Sequence, residues 1–253
     1  MENYSISDLY KVVSRDSGGS QNKYYRDGIW YKQDTAGEES VAEYLVSLVL
    51  NFSNVKNYVS YDICCVNGKR SCKALDFLKK GESFVSLHKL YMAANHKVLA
   101  EDVFCINHVE DRLYFLINAF QDIIGIDLTG YFSNILVLDM LLLNPDRHFK
   151  NMGVIYNGKG YREAPVFDNG QSLGANWNLC PPILSVQECV DRIHSCTVAG
   201  SFELQFDAVK HTHTLSIDYD GLMGDLADVQ INSRVIEILK YQLERYKKIF
   251  GKG

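Results

Sequence analysis

Short apolar runs alternate with turn residues through the first third of the chain, which is typical of β-strands. Between Leu9 and Gln33, a glycine-containing turn and the dipeptide Asp27-Gly28 separate three such runs. A similar stretch, residues 59–78, has Asn67-Gly68 near its centre, a dipeptide strongly favoured in two-residue hairpin turns. These positions predict antiparallel strands within residues 8–80.

One segment inside this strand-rich region has helical periodicity instead. In residues 38–52, EESVAEYLVSLVLNF, apolar positions recur at intervals of three and four. Such spacing gives a helix one apolar stripe, which can pack against a sheet. The residues on that stripe are Val41, Tyr44, Leu45, Leu48, Val49 and Phe52.

From about Ser83 onward the apolar pattern is mostly helical. We predict helices at 84–97, 107–124, 129–143, 186–197 and 232–250, and a two-stranded ribbon around Asn157-Gly158. The predicted fold class is therefore α+β and bilobal. A small β-rich N-terminal lobe with one helix would comprise residues 1–80, and a larger, mostly helical C-terminal lobe residues 81–253.

Composition and charge narrow the classes of function. Of 253 residues, 47% are hydrophobic and 23% are charged, and the net charge is −5 without any long basic block. That balance argues against nucleic acid as a direct partner. The most apolar stretch, 135–143, contains Asp139 and is too short to span a bilayer, and the first residues do not resemble a signal peptide. We therefore expect a cytoplasmic protein without a membrane span.

The seven cysteines favour free thiols over disulfides or a metal site. Their number is odd, Cys64 and Cys65 are adjacent, and no C-x-x-C occurs, which fits a reducing compartment. One group of cysteines and histidines matches no standard zinc spacing. Its members are Cys189, His194, Cys196, His211 and His213.

The polar cluster after the predicted helix 129–143 is the strongest functional signal. That helix is apolar nearly all round, so we expect it to be buried, and Pro145 ends it. Asp146 and Asn151 follow five residues apart, which is the spacing of the kinase catalytic loop D-x-x-x-x-N. In that loop the Asp reaches the acceptor hydroxyl, and the Asn reaches a metal ion on the phosphates.

A second acid follows the predicted ribbon. The stretch MGVIYNGKGYREAPVFDNG turns at Asn157-Gly158, and its return strand leads to Asp168 in FDNG. An acid in this place suits the metal-binding Asp of the kinase motif D-F-G. The order of buried helix, D-x-x-x-x-N, hairpin and D-x-G indicates phosphoryl transfer more specifically than any one motif does.

These residues resemble the HipA-like atypical kinases. The D-x-H-x-K-N loop of that family matches Asp146, His148, Lys150 and Asn151, and APVFDNG matches its Pro followed by an aromatic-Asp pair. The loop also matches D-R-H-x-x-N of the related phosphatidylinositol 3/4-kinase superfamily. The chain is particularly similar to short bacterial proteins of the cell-translocating kinase type, and the resemblance runs from about Asp16 onward.

The resemblance implies a kinase that transfers the γ-phosphate of MgATP to a Ser or Thr hydroxyl of a protein. Asp146 would orient or deprotonate that hydroxyl, His148 would lie near the γ-phosphate or support the loop, and Lys150 would lie beside them. Asn151 and Asp168 would hold Mg²⁺, or Mn²⁺ in its place. For a bacterial cytoplasmic protein of this family, an antitoxin partner, a host-protein partner and delivery to a host cell are all open.

In the first lobe, DSGGSQNK resembles the phosphate loop G-x-Q-x-K of the same family. Small residues in such a loop let backbone N–H groups approach phosphates. The expected nucleotide contacts are Gly18, Gly19, Ser20, Gln21 and Lys23. Asp16 stands where HipA has the loop serine that it autophosphorylates, so a regulatory role of Ser17 or Ser20 stays open.

Lys32, at the end of the apolar strand GIWYK, is expected to bind the α- and β-phosphates. Its partner should be a Glu on the following helix. Glu39 and Glu43 lie on the same helical face, so spacing leaves both open, and comparison with the family favours Glu43. The adenine is expected against residues 74–78, including Leu78.

Three other classes of function compete with a protein kinase. A phosphoinositide kinase needs basic side chains for its charged head group, but no Lys or Arg occurs between Arg162 and Arg192. A non-catalytic, toxin-like nucleotide-binding module would be favoured by loss of the acids and amide of the two motifs, which are all present. Small-molecule phosphotransferases usually carry a His two residues before the catalytic Asp, where Asn144 stands here.

Overall fold

A six-stranded sheet forms the N-terminal part of the computed structural model, which describes residues 1–6, 9–12 and 21–252. The strand order is β1-β5-β6-β4-β3-β2; β1 and β5 run parallel, and the other neighbours pair antiparallel. The strands are β1 (Asn3–Tyr4), β2 (Tyr10–Val12), β3 (Asn22–Arg26), β4 (Ile29–Gln33), β5 (Asp62–Val66) and β6 (Lys69–Leu75).

Both hairpin turns predicted from dipeptides are confirmed. Asp27-Gly28 joins β3 to β4, and Asn67-Gly68 joins β5 to β6. All four residues have positive φ, between 48° and 79°, which is the backbone of a tight two-residue hairpin turn. The turns fix the register of β4, and register in turn decides that Lys32 lies opposite Lys23 and Cys72.

The predicted helix 38–52 is confirmed as α1 (Glu39–Asn51), and both of its ends are bonded to the C-terminal part of the chain. Before the helix, the N–H of Glu38 donates to the carbonyl of Ala175 at 2.9 Å. After it, the carbonyl of Phe52 accepts from the N–H of Asp218 at 2.8 Å. The position of α1 is therefore set by the helical part as well as by the sheet.

Helices dominate the chain after residue 86, so the predicted α+β fold class is confirmed. They are α2 (Leu87–Asn95), α3 (Leu99–Phe104), α4 (Val109–Ile124), α5 (Thr129–Leu142), α6 (Val186–Arg192), α7 (Phe202–Val209), α8 (Tyr219–Asp228) and α9 (Arg234–Phe250). A three-stranded sheet joins β7 (Ser83–Ser86), β8 (Gly153–Tyr156) and β9 (Tyr161–Glu163). β10 (Ile217–Asp218) pairs with β11 (Gly251–Lys252).

Two predicted helices are wrong at one end. The helix expected from residue 84 begins at Leu87, because Phe84 and Val85 pair with the buried strand β8, and Ser86 then caps α2. The helix expected over 186–197 ends at Arg192, where Ile193 turns to extended backbone. The prediction also missed α3, α7 and α8, each of ten residues or fewer, because so short a helix shows little periodicity.

The buried helix α5 leads into residues 144–151, the predicted catalytic loop. Its side chains are buried on all faces, as its apolar sequence predicts. Leu143 ends it in the left-handed conformation, with φ of 49°, and Pro145 follows. The loop 144–151 therefore starts from a fixed point in the core.

The predicted division into lobes at about residue 80 falls between β6 and β7 and stays a prediction.

No helix in the described parts of the chain is long and apolar enough to cross a membrane.

Candidate active site

A cavity of about 510 Å³ lies between the N-terminal sheet and the residues of β7, α2 and the catalytic loop. Its apolar lining includes Trp30, Val59, Ala74, Leu78, Phe84 and Phe167, and its charged and polar lining includes Lys23, Lys32, Lys150, Asn151 and Asp168. The rings of Phe77, Phe84 and Phe167 contact one another, with centroids 5.2 to 6.1 Å apart. One part of the cavity is therefore lined by aromatic and aliphatic side chains, and another part is lined by charged and polar side chains.

Lys32 lies in the interior of this site and contacts two acids. Its Nζ is 2.5 Å from Oε1 of Glu43 on α1 and 2.7 Å from Oδ1 of Asp168. Tyr61 adds a ring face 5.0 Å from the same Nζ. Burial disfavours the ammonium, but the charges of Asp168 and Glu43 outweigh it and hold the pKa of Lys32 well above its usual value. The lysine is therefore charged and held at the point where its two acids meet.

The two candidate glutamates have separate roles in the structure. Glu43 contacts Lys32, as the family comparison favoured. Glu39 is also buried, but its carboxylate accepts the backbone N–H groups of Ala36 at 2.8 Å and Gly37 at 3.0 Å. It therefore stabilises the turn that leads into α1, and it does not pair with Lys32.

Asp168 lies between two lysines, Lys32 and Lys23. Its side chain is 20% exposed, and its second oxygen is 3.9 Å from Nζ of Lys23, which approaches from β3. Burial alone would raise the pKa of Asp168, but the charges of Lys32 and Lys23 outweigh it and hold the pKa well below its usual range. The carboxylate is thus ionised at any physiological pH.

Asp146 differs from Asp168 in exposure and in charge environment. Its side chain is 49% exposed, and Nε2 of His148 lies 3.8 Å from its Oδ1. Burial raises the pKa of Asp146 above its usual value; the His148 imidazole opposes the rise, and the negative charge of Asp168 adds to it. This carboxylate is therefore more basic than a free aspartate, a property that suits a proton acceptor.

Asn151 is bonded to the backbone of Asp146 and lines the same cavity as Asp168. Its Nδ2 donates to the backbone carbonyl of Asp146 at 3.1 Å, which fixes the amide, and its Oδ1 is an acceptor. Asp168 and Asn151 together offer carboxylate and amide oxygens, the ligand type that Mg²⁺ prefers. Among the described residues, no group of three or more His, Cys, Asp or Glu is placed to hold a metal ion. A metal at this site would therefore need further oxygens from a ligand such as a phosphate.

The remaining predicted site residues fall into three groups. Lys23 and Leu78, expected at the nucleotide, and Lys150, expected at the catalytic loop, line the cavity. Gln21 lies beside residues 167–170, the predicted metal motif, with its Oε1 3.4 Å from where a Cβ on Gly170 would stand. Gly18, Gly19 and Ser20 lie outside the described residues, as does Ser17.

A buried polar network below the site was not predicted. Arg147 and Asp139 are each 1% exposed, with Nε of the arginine 3.1 Å from Oδ2 of the aspartate. Arg147 also donates to the carbonyl of Phe167 at 2.8 Å and to the side-chain oxygen of Asn169. The signal was present in the sequence, because an acid within an apolar buried helix requires a buried partner.

Solved structures with the same arrangement of elements were found, although no protein-family model and no curated protein matches the sequence. The proinflammatory kinase CtkA of Helicobacter pylori superposes with a TM-score of 0.65 over 98% of this chain and 95% of its own, at 17% sequence identity. This chain therefore has a kinase-like fold. The resemblance seen in the sequence is confirmed at the level of the fold.

Two further structures are more distant. HipA, from the HipA–HipB–operator DNA complex of Shewanella oneidensis MR-1, has a TM-score of 0.49 and 12% identity over 95% of this chain and 62% of its own. A putative aminoglycoside phosphotransferase of Ralstonia eutropha JMP134 has a TM-score of 0.33 and 12% identity, over 92% of this chain and 89% of its own.

Proposed function

We propose that this protein is an ATP-dependent Ser/Thr protein kinase that transfers the γ-phosphate of MgATP to a protein hydroxyl. The observation that carries the proposal is the contact of Lys32 with both Glu43 and Asp168. Lys32 and Asp168 line one cavity, and the negative charge of Asp168 acts on the Asp146 carboxylate. Phosphoryl transfer depends on positioning and on charge stabilisation, and a buried lysine with two acids and a separate basic carboxylate supplies both.

The cavity would take the nucleotide. Its apolar lining, including Trp30, Ala74 and Phe167, suits the two faces of a purine, and Leu78 lies in the segment expected to contact the base edge. Lys32 would bind the α- and β-phosphates, and Lys23 and Lys150 would lie near the others. A cavity of this size suits one nucleotide.

Asp168 and Asn151 would hold the metal ion, whose chemistry is to neutralise the charge on the phosphates. Asp168 is ionised and fixed by two lysines, so its carboxylate is ready to bind a cation without first losing a proton. Asn151 is fixed by its bond to the Asp146 carbonyl, which connects the metal site to the acceptor site.

Asp146 would act on the acceptor. Its carboxylate would accept a hydrogen bond from the Ser or Thr hydroxyl and orient the oxygen towards the γ-phosphorus. As the new P–O bond forms and the bond to ADP breaks, the hydroxyl proton would pass to Asp146, whose raised pKa favours that transfer. His148, 3.8 Å away, would stabilise the ionised carboxylate before the transfer.

The lack of basic residues after Asp168 favours a protein over a lipid acceptor. A phosphoinositide head group needs several basic side chains near the acceptor oxygen, and the segment that follows Asp168 supplies none before Arg192. An antitoxin partner, a host-protein target and a cytoplasmic location stay predictions from the sequence resemblance.

Incubation with labelled ATP tests the proposal. We expect transfer to a Ser/Thr peptide mixture in the presence of Mg²⁺ or Mn²⁺, and none to phosphoinositide vesicles. We also expect ATP to raise the melting temperature when either metal is present, because a ligand of the native state stabilises it by mass action. Absence of both transfer and stabilisation with every nucleotide and metal would contradict a kinase function.

A further inference from the structure

We propose that Arg147, supported by Asp139, is a positioning residue that holds the residues on both sides of Asp168. The group formed by Arg147, Asp139, Phe167 and Asn169 is called the arginine clamp below. The inference rests on the proposed function, in which Asp168 holds the metal ion. It adds a residue that touches neither nucleotide nor acceptor and acts through Asp168.

The clamp is built from hydrogen bonds to the two neighbours of Asp168. Nη1 of Arg147 donates to the backbone carbonyl of Phe167 at 2.8 Å, and Nη2 donates to the side-chain oxygen of Asn169. Nε donates to both oxygens of Asp139, at 3.1 and 3.2 Å. A single guanidinium therefore bonds the residues immediately before and after the metal-binding acid.

Asp168 needs such support because of its backbone. Its φ is +59°, in the left-handed region that non-glycine residues rarely adopt. A residue keeps such a conformation only where the surrounding structure determines it. The bond to the Phe167 carbonyl restrains the peptide before Asp168, and the bond to the Asn169 side chain restrains the residue after it, so the clamp fixes the direction in which the Asp168 carboxylate points.

The clamp also joins the two parts of the molecule. The backbone N–H of Asn169 donates to Oε2 of Glu43 at 2.9 Å, while Oε1 of Glu43 contacts Lys32. A buried line of polar groups thus runs from Lys32 through Glu43, Asn169 and Arg147 to Asp139. Displacing Arg147 should therefore disturb the metal motif more than the cavity lining.

The charges explain why an arginine and an acid are both required. Burial raises the pKa of Asp139 to about 6, which still leaves it ionised at neutral pH, and this acid raises the pKa of Arg147. The planar guanidinium donates in three directions from fixed positions, which a lysine cannot do. Lysine at this position would keep the ion pair and lose the clamp.

The competing explanation is that the Arg147–Asp139 ion pair stabilises the fold and does not orient Asp168. Three variants separate the two roles. Arg147→Lys keeps the charge, and Asn169→Ala removes one arm of the clamp without touching the ion pair. The double variant Asp139→Leu/Arg147→Met removes both buried charges together, a change that is often neutral for stability.

Thr197→Val is the matched control. The Thr197 hydroxyl donates to the backbone carbonyl of Arg147 at 2.7 Å and is buried, so its loss removes one hydrogen bond from the same loop. The clamp itself keeps all of its donors. This control should therefore lower the melting temperature without altering metal-dependent binding.

The readouts on the full chain are the melting temperature, the Kd for MnATP and for ATP without metal, and amide exchange of residues 167–170 without ligand. For Arg147→Lys and the double variant we expect MnATP binding to weaken by about 10- to 100-fold, the usual effect of losing a group that orients a metal ligand. Asn169→Ala should lie between these and the wild type. Binding of ATP without metal should stay within about twofold, because none of the substituted side chains lines the cavity, and amide exchange of 167–170 should accelerate in all three.

The inference is overturned if the folded clamp variants bind MnATP as the wild type does, or if Thr197→Val weakens that binding equally. A wild type that binds no nucleotide with any metal contradicts the proposed function instead. Amide exchange then still tests whether Arg147 restrains residues 167–170. The inference holds only if their exchange accelerates in Arg147→Lys and stays unchanged in Thr197→Val.

Discussion

The catalytic loop (144–151) and the metal motif (167–170) each present one aspartate to the same site, in opposite surroundings. Asp168 contacts two lysines, and its pKa lies well below the usual range, whereas Asp146 is half-exposed beside His148 with a raised pKa. Under the proposed function, these identical side chains would do different work: one would stay ionised to bind a cation, and the other would be basic enough to accept a proton.

The two regions also differ in how they are held. The metal motif is bonded from both sides, by Glu43 of α1 and by Arg147, and its central residue has a left-handed backbone. The catalytic loop starts from the buried end of α5 and leaves Asp146 close to solvent, where an acceptor can reach it. Under the proposed function, the metal ligand would therefore be fixed before the metal binds, and the acceptor site would stay accessible.

Loss of Lys32 should produce the largest decrease in the free energy of unfolding. Lys32→Met leaves the buried Glu43 carboxylate, with Asp168 beside it, without its cation, and breaking a buried ion pair in this way costs about 3–5 kcal/mol. Urea unfolding measures the loss. The matched control is Lys150→Met, an exposed lysine of the same cavity, which should change stability by no more than about 0.5 kcal/mol. Equal stabilities of the two variants would refute the idea that Asp168 depends on a buried cation.

A substitution at Gly37 should have the next largest effect, because it lies where the segment after the metal motif meets the turn before α1. A Cβ on Gly37 would stand 1.9 Å from the carbonyl oxygen of Ala175, so the backbone must move. We expect Gly37→Ala to destabilise the fold by about 1–3 kcal/mol.

Gly224→Ala is the control for this prediction, since nothing lies within 4 Å of a Cβ at that position in α8. A helix interior prefers alanine to glycine, so this control should gain up to about 1 kcal/mol. If thermal unfolding shows the two alanine variants to be equally stable, the contact between this turn and the segment after Asp168 is not tight.

The pH dependence of stability should give the smallest effect and separates the two aspartates. The pKa of Asp168 is depressed in the folded state, so its contribution is complete above the unfolded value, about 3.8, and is lost as pH falls below it towards the folded pKa. The decrease in melting temperature caused by Asp168→Asn should therefore be larger at pH 7 than at pH 3. For Asp146→Asn, whose pKa is shifted upward, that difference should be absent or reversed in sign.

The sequence predicts the parts of this site that depend on local spacing. Each of these parts follows from neighbouring residues: the largely apolar helix before Asn144, the interval from Asp146 to Asn151, and the hairpin before Asp168. The structure brings all three together at the site. Tight turns are equally local, which is why Asp27-Gly28 was predicted correctly.

Contacts between distant segments could not be predicted in the same way. Glu39 and Glu43 share one helical face, and only the path of β4 and the metal motif decides that Glu43 meets Lys32. The strand β7 was predicted as helix because its pairing partner, β8, lies 67 or more residues further along the chain. Asp139 signalled a buried partner, but its sequence context did not identify Arg147.

MgATP affinity and phosphoryl transfer, determined side by side for Asp146→Asn and Asp168→Asn, test the roles of the two aspartates. We expect Asp146→Asn to bind MgATP like the wild type and to lose about 10²- to 10⁴-fold in transfer, because an amide cannot accept the proton. Asp168→Asn should lose both MgATP binding and transfer, because it removes a charge from the metal site. Near-normal transfer by Asp146→Asn, or normal MgATP binding by Asp168→Asn, would contradict the assignment of these two aspartates.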